Sequence, residues 1–471
     1  MKKFLALSYL ATWATIPHLL LLKKRPAATL AWLWAILFIP FFGALVYCLF
    51  GTDRLKRRRL KHRMVFSARP SRQRTPDGAT DEATERLVRS LPGRDRQFLQ
   101  LLSRINQLPI SSAESSRILR NAKEFYPALE ERIRQAKDHV HLEFYLWRGD
   151  DTGRKFLRLL TEAAQRGITV RLLLDGVGSF GLRRALLRDL RQAGGHFSWF
   201  QSLDPMRNRF LLNLRNHRKL QIIDGTVAFV GGMNIGREYE GLEPRFGQWR
   251  DVQVEAMGSV VHVLQEVFAD DWFFATGEKI HDQPAPVHRA AFPMHVIVSG
   301  ADRANEPMSK SIVSLLHEAT TRVWIATGYF VPDDVMLAAL ELAASRGVDV
   351  RLLVAESDHP WLIVAGRSYY DELLAAGVRI FEYSAGINHA KVAVADEHWA
   401  MVGSANLDYR SMRLNFELNL LFRSHEHNAA LARILEADFA LSREILPSVF
   451  ARRPFHRRWA EAALRPLSPM L

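Results

Sequence analysis

Two stretches of the chain carry the same residues at the same offsets. His217 is followed by Lys219, Asp224, Gly231, Gly232 and Asn234, and His389 by Lys391, Asp396, Gly403, Ser404 and Asn406. Counted from each histidine, Lys stands at +2, Asp at +7, Gly at +14, a small residue at +15 and Asn at +17. A single pattern of this kind would be weak in a chain with 17 histidines; five matched offsets in two places are not chance. An imidazole titrates near neutrality, so one histidine can attack phosphorus while the other protonates a departing alkoxide, with the roles reversed in a second step. Lysine stabilises charge on non-bridging oxygens. Small residues allow close backbone approach, and an asparagine near the start of a helix sits among free amide N–H groups that favour an anion. Together these residues describe a phosphate site. A metal is disfavoured because each H-x-K puts an ammonium beside the histidine, where it repels a cation. No metal and no other cofactor is expected.

Strand-like runs follow both histidines, RKLQII and KVAVA, so residues i and i+2 share a face and each histidine projects with its lysine. Asp224-Gly225 and Asp396-Glu397-His398 read as hairpin turns, with VAFVGG and AMVGS as the returning strands. An aspartate at a turn commonly bonds local backbone, so these two are expected to organise the site rather than react. Asp251, in QWRDVQVE, and Glu417, in NFELNLLF, follow the two histidines by 34 and 28 residues on strand-like runs. Each is a candidate to hold a ring nitrogen of one histidine, with a salt bridge elsewhere as the competing reading.

Around the motifs, amphipathic helices alternate with apolar strands, which argues for an α/β layered domain. The order occurs twice. AQRGITVRLL and ASRGVDVRLL nearly superimpose, and Ala193-Gly194 has its counterpart in Ala376-Gly377, so the chain is an internal duplication with one histidine motif per half. Gly194 to His217 spans 23 residues against 12 from Gly377 to His389, which leaves an insertion of 11 in the first half. Residues 201–215, mixing Arg with Phe210, Leu211 and Leu212, read either as a loop dipping into a membrane interface or as one folded over the core.

The amino-terminal region has a different character. Phe4–Leu22 and Ala27–Phe50 are apolar runs free of Asp, Glu, Lys and Arg. Each reaches the roughly 20 residues that a membrane-spanning helix needs. Joined at Lys23–Pro26, they read as a hairpin rather than a cleaved signal, because no small-residue cleavage site separates them. Arg54–Arg63 is densely basic, which by the positive-inside rule keeps the following chain in the cytoplasm. Residues 67–115, rich in Arg, Ser, Thr, Asp and Pro, read as a tether with weak helicity near Gln97–Leu108. The net charge of +14 favours a polyanionic partner, lipid surface or nucleic acid. With Cys48 as the single cysteine, an intramolecular disulfide, a thiolate-cluster metal site and thiol catalysis are all excluded. The expected domains are 1–52 (transmembrane hairpin), 53–115 (basic segment and tether), 116–285 (first half) and 286–471 (second half).

The repeated H-x-K-x4-D resembles the phospholipase D superfamily. More closely, the chain is similar to the bacterial cardiolipin synthases of that superfamily. The likeness rests on the hairpin with Pro26, Trp32 and Pro40–Gly43, YFVPD at Tyr329–Asp333, RSYYDELLAAGVRIFEY from Arg367, GSANLDYRS from Gly403, NFELN from Asn415 and the terminal SPML. Gly328 departs from it, since family members usually carry Pro there. The resemblance implies a duplicated phospholipase D-like α/β fold whose two pseudo-symmetric halves share one active site. It implies His217, Lys219, Asp224, His389, Lys391 and Asp396 as the catalytic set, with Gly232, Asn234, Ser404 and Asn406 binding substrate. It also implies a phosphatidyl transfer between two phosphatidylglycerols, releasing glycerol, through a phosphohistidine on His217, in the bacterial inner membrane and with no nucleic-acid partner. Water or phosphatidylethanolamine as acceptor, a superfamily nuclease and a non-catalytic membrane scaffold are the alternatives.

Overall fold

The computed structural model describes residues 15–21, 26–50, 82–200, 214–245, 247–280, 289–300, 303, 305–356 and 359–470. The described residues up to Phe50 and those from Glu82 onward fall in two separate compact units.

In the first unit, Pro26–Phe38 and Pro40–Phe50 are helices interrupted at Ile39. Pro40 has no N–H to return to the preceding turn, so the expected continuous span from Ala27 to Phe50 is broken there. Gly43 approaches closely: a Cβ on it would stand 2.0 Å from the Ala35 carbonyl oxygen. Leu19, Ile36 and Tyr47 form a small core, and His18 Nδ1 lies 2.8 Å from the Tyr47 hydroxyl. Among the described residues no helix is long and apolar enough to cross a membrane. Most of the first expected span, the basic run 54–63 and residues 201–213 of the insertion lie outside the described residues.

The second unit is mixed α/β, built on a seven-stranded and a nine-stranded sheet. In the first, His139–Phe144, Thr169–Leu174 and His196–Trp199 run parallel, and Leu220–Ile223 lies antiparallel on the other side of His139–Phe144. The second repeats this with Arg322–Thr327, Asp349–Ala355, Arg379–Tyr383 and Val392–Ala395. Even the register matches: Val140 pairs with Ile223, the residue before Asp224, and Val323 with Ala395, the residue before Asp396. The parallel strands are apolar with few breaks because helices cover them. On one such helix, Asp151–Gln165, the buried face carries Phe156, Leu157, Leu160, Ala163 and Ala164, and Asp150 caps it by accepting from Gly153 N at 2.9 Å.

Part of the expected tether belongs to this unit. Glu82–Ser90 and Gly93–Asn106 are helices, and Val88, Phe98, Leu99 and Leu102 are buried in one core with Ile297, Met308 and Ile312. Phe98, Leu99 and Leu102 stand at helical spacing, which gives the segment an apolar face to bury.

The motif aspartates occupy the hairpin turns at the strand ends far from the histidines. Asp224 (φ 53°) and Asp396 (φ 47°) adopt left-handed backbone, a conformation that aspartate tolerates better than most side chains. The Asp224 carboxylate accepts from the backbone N–H of Lys137, Asp138 and His139 at 2.9, 2.8 and 3.0 Å. Asp396 accepts likewise from Thr320, Thr321 and Arg322 at 3.0, 2.8 and 3.2 Å. Their inclusion in the catalytic set is therefore corrected: each fastens a turn to the neighbouring strand. Asp396→Ala should lower stability by about 2 kcal/mol, the cost of removing a charged acceptor from several amides, and should depress Tm by several degrees.

Candidate active site

Each histidine is held by the other half of the duplication. His217 N donates to Phe416 O at 2.9 Å, and His389 N to Arg250 O at 2.7 Å. Gly386–Asn388 runs parallel to Gln248–Arg250 across the same boundary. These exchanges bring the carboxylates into crossed pairs. His217 Nδ1 lies 2.9 Å from Glu417 Oε2, and His389 Nδ1 lies 2.8 Å from Asp251 Oδ2. Chain distance matches each carboxylate to the histidine of its own half; the fold matches it to the opposite one. A carboxylate on Nδ1 draws the proton there, so the Nε2 lone pair is left for chemistry.

Both imidazoles line one cleft of about 440 Å³, together with Asn234 and Asn406. Gly232 and Ser404 do not line it, which corrects their expected contact with substrate. A Cβ on Gly232 would stand 2.3 Å from Asp251 Oδ1, so only glycine leaves that carboxylate its seat. Ser404 Oγ donates to Glu417 Oε2 at 2.6 Å and accepts from Leu418 N at 2.9 Å. The small residue at +15 thus serves the carboxylate behind the histidine. Lys219 and Lys391 are buried beneath the cleft, each Nζ donating to the carbonyl of its histidine, at 2.7 and 2.5 Å. The helix expected after each asparagine is absent in the first half, where turns fill 236–241, and is the five-residue Tyr409–Arg413 in the second.

The two sides of the cleft differ. Tyr145 and Gly328 occupy equivalent positions, five residues beyond Val140 and Val323. The Tyr145 ring stands edge-on to His217 at 5.0 Å, whereas a Cβ on Gly328 would lie only 3.2 Å from Lys391 Nζ and Asn406 Oδ1. Asn216 gives its amide N–H to Glu143, whose equivalent in the second half is Ala326. Asn388, the counterpart of Asn216, is left with a buried Nδ2 that has no partner among the described residues. Asn406 Oδ1 and Asn415 Oδ1 are in the same condition, and all three residues line the cleft. Asn234, by contrast, accepts from Leu146 N at 3.0 Å and donates to the Tyr239 hydroxyl at 2.6 Å. Buried polar atoms without partners are costly, so Asn388 and Asn406 beside His389 suit a polar ligand, whereas Asn415 donates its amide at 3.2 Å to Glu417 on the His217 side. Arg215 and Arg410 also line the cleft, and burial and Arg215 together hold the Arg410 guanidinium below its ordinary value. Sequence reasoning missed Tyr145, Arg215, Asn388, Arg410 and Asn415. The Asn directly before each histidine, repeated as Asn216 and Asn388, was the available signal.

Burial governs the titration of the site. It lowers Lys219 to about 7 and Lys391 to about 8, so an anion in the cleft would restore their charge. The carboxylates diverge. Burial raises Asp251 to about 7, whereas for Glu417 the His217 contact, Lys219 and Ser404 outweigh burial and hold it below its ordinary value. Burial and the flanking lysines push His389 well below its usual range, so the His389–Asp251 pair shares a single proton near neutrality. That pair can supply a proton, while the His217–Glu417 pair presents a neutral ring against an ionised carboxylate. Phosphodiester turnover should therefore fall as pH rises through about 7, where Asp251 and its partner give up the proton. In Asp251→Asn the proton rests on His389 alone, so the alkaline limb should move to lower pH and kcat should drop roughly a hundredfold. Glu417→Gln should reduce kcat without moving that limb. A pH–rate profile of Asp251→Asn with the limb in its parental position would show that the carboxylate does no more than hold the ring.

The chain resembles known proteins over nearly its whole length. A family model described as cardiolipin synthase, phospholipase D-like domain, matches residues 129–244 and again 312–439. A second, phospholipase D–nuclease N-terminal, matches residues 10–51. A cardiolipin synthase of Geobacillus kaustophilus is 38% identical over 459 residues, 95% of this chain and 90% of that protein. Cardiolipin synthase A of Pseudomonas syringae pv. syringae is 36% identical over 469 residues, 98% and 96% of the two chains. Among solved structures, phosphatidylserine synthase of Haemophilus influenzae shares the fold, with a TM-score of 0.60 at 13% identity over 79% of this chain and 100% of its own. Two copies of the phospholipase D-like domain and full-length relatives well above 30% identity lead to one conclusion: the chain belongs to the cardiolipin synthase family of phospholipase D-like proteins.

Proposed function

We infer that the protein makes cardiolipin, moving a phosphatidyl group from one phosphatidylglycerol to the free glycerol hydroxyl of another and releasing glycerol. The observation that carries this reading is the pair of crossed histidine–carboxylate contacts opening on one polar cleft. His217 Nε2 attacks phosphorus; the bond from phosphorus to the glycerol oxygen breaks, and His389 Nε2 gives the departing oxygen its proton. Ionised Glu417 balances the positive charge that forms on the His217 ring. The second lipid's hydroxyl then returns a proton to His389 as its oxygen displaces His217 from phosphorus. Lys219, Lys391 and Asn406 stabilise the phosphoryl oxygens, with Asn234 bracing the opposite wall. The difference between Asp251 and Glu417 supports this order of roles, because the proton donor needs the partner that retains a proton. The unpartnered amide groups of Asn388 and Asn406 support a polyol on the His389 side.

The same reading includes the anchor. Residues 1–52 form a two-span hairpin, the basic segment from 53 leads to a catalytic unit that takes in Glu82–Asn106 with the halves 116–285 and 286–471, and the catalytic part faces the cytoplasm of a bacterial cell membrane. Exposed Leu30, Trp34, Phe38, Phe41 and Phe42 on the described helices support burial of that unit in lipid. Phosphatidylglycerol and the anionic lipids around it are the partners.

Purified protein given phosphatidylglycerol vesicles should release cardiolipin and free glycerol, and His217→Ala and His389→Ala should each lose at least about a thousandfold in rate. Phosphatidic acid as the main product would reassign the enzyme to hydrolysis. Phosphatidylethanolamine-containing products would widen its acceptor, and cleavage of single-stranded DNA with no lipid product would make it a nuclease.

A further inference from the structure

We propose that the catalytic unit rests the rim of its cleft on an anionic lipid surface through Phe180, Leu242 and Trp361, extended by Phe455 and Trp459. The inference deepens the lipid-substrate reading above and depends on it. Phe180 and Leu242 stand on loops and Trp361 in the first turn of the helix Pro360–Arg367, each beside residues that form the cleft wall. Phe180 follows Ser179, whose Oγ accepts from Trp147 N at 3.0 Å and donates at 3.1 Å to the carbonyl of Tyr145, a wall residue. Leu242 follows the turns at 236–241 that contain Tyr239, and Trp361 stands between His359 and Leu362; Tyr239, His359 and Leu362 line the cleft. Yet Phe180, Leu242 and Trp361 are themselves 76%, 57% and 68% exposed. Large apolar side chains raised around one opening are uncommon on a surface that meets only water.

The rim continues onto a neighbouring helix. Phe455–Leu464 packs against Pro360–Arg367, the helix of Trp361. Its inner side holds Glu461 in an ion pair with Arg453 at 2.7 Å. On its outer side Phe455 and Trp459, one turn apart, are 79% and 65% exposed, with Arg458 between them on the same stripe. Arg183, Arg184, Arg457 and Arg458 are exposed and make no ion pair among the described residues. Of the acids around Leu242, Glu238 pairs with Arg148 and Glu243 with Arg237, while Glu240 accepts from the Thr152 hydroxyl. Aromatic and aliphatic side chains interleaved with uncompensated arginine fit the boundary between acyl chains and anionic headgroups. Two lipid substrates could then reach the cleft with their acyl chains still in the bilayer.

The test uses the full chain reconstituted in proteoliposomes of phosphatidylglycerol and phosphatidylcholine. The triple variant Phe180→Ser, Trp361→Ser, Trp459→Ser should make cardiolipin from bilayer phosphatidylglycerol roughly tenfold more slowly. On short-chain phosphatidylglycerol dissolved below its micelle concentration it should match the parent. Equal losses on both substrates, or none on either, would overturn the proposal. A second measurement is independent of turnover. With Cys48→Ser as background, a fluorophore on Trp459→Cys should be quenched by lipids brominated in the acyl chain, and one on Arg134→Cys should not. A label at 459 that stays in water, or that is shielded in detergent only as protein concentration rises, rejects the membrane in favour of solvent or a second copy. If the parent makes no cardiolipin from bilayer phosphatidylglycerol, the functional reading fails while the quenching result still judges the docking.

Discussion

The crossed contacts between each imidazole and the opposite half's carboxylate constrain the rest of the molecule. For His217 to meet Glu417 and His389 to meet Asp251, both sheets must end at one boundary, and the backbone must exchange hydrogen bonds across it. Glycine at 232 and the hydroxyl of Ser404 follow from the same requirement, since each gives a buried carboxylate its position. Either half alone would keep a histidine and lose the group that fixes its tautomer. The catalytic unit is therefore chemically indivisible even though its sequence is a duplication.

Within that shared frame the halves have diverged in ways that set different tasks. Exchange of Glu143 for Ala326 frees the amide of Asn388, and exchange of Tyr145 for Gly328 opens the floor beside His389. An aromatic ring stands against each histidine, Tyr145 at His217 and Trp249 at His389, but only the His389 side adds the unspent groups of Asn388 and Asn406. The carboxylates diverge as well. Both are buried, yet one keeps a proton near neutrality and the other stays ionised, because Glu417 alone has both the Ser404 hydroxyl and the His217 contact to hold its charge. Chemistry that alternates between a nucleophile and an acid needs that inequality.

Lipid chemistry makes a further demand, because the reacting phosphates never leave the membrane surface. The apolar side chains around the cleft and the amino-terminal helices would meet that demand separately, one orienting the catalytic unit and the other retaining it. Arginine beside the rim gives the orientation a preference for anionic headgroups, which the proposed substrate itself supplies.

Most of the chemistry was legible in the chain because it is encoded in local spacing. The repeated offsets of His, Lys, Asp, small residue and Asn pointed to paired histidines suited to phosphate chemistry, and the alternation of amphipathic helices with apolar strands pointed to a duplicated α/β fold. Asp224 and Asp396 were legible as turn residues for the same reason, since a turn is a local event. Helical spacing around Phe98 also signalled order in the tether, but not the core it would join. Tertiary structure alone decided the partners across long separations: that Glu417 serves His217 and Asp251 serves His389, and that Gly232 and Ser404 stand behind carboxylates. Periodicity reports which face a side chain occupies, whereas the identity of the group across that face depends on how two sheets meet, and no spacing along the chain carries that information.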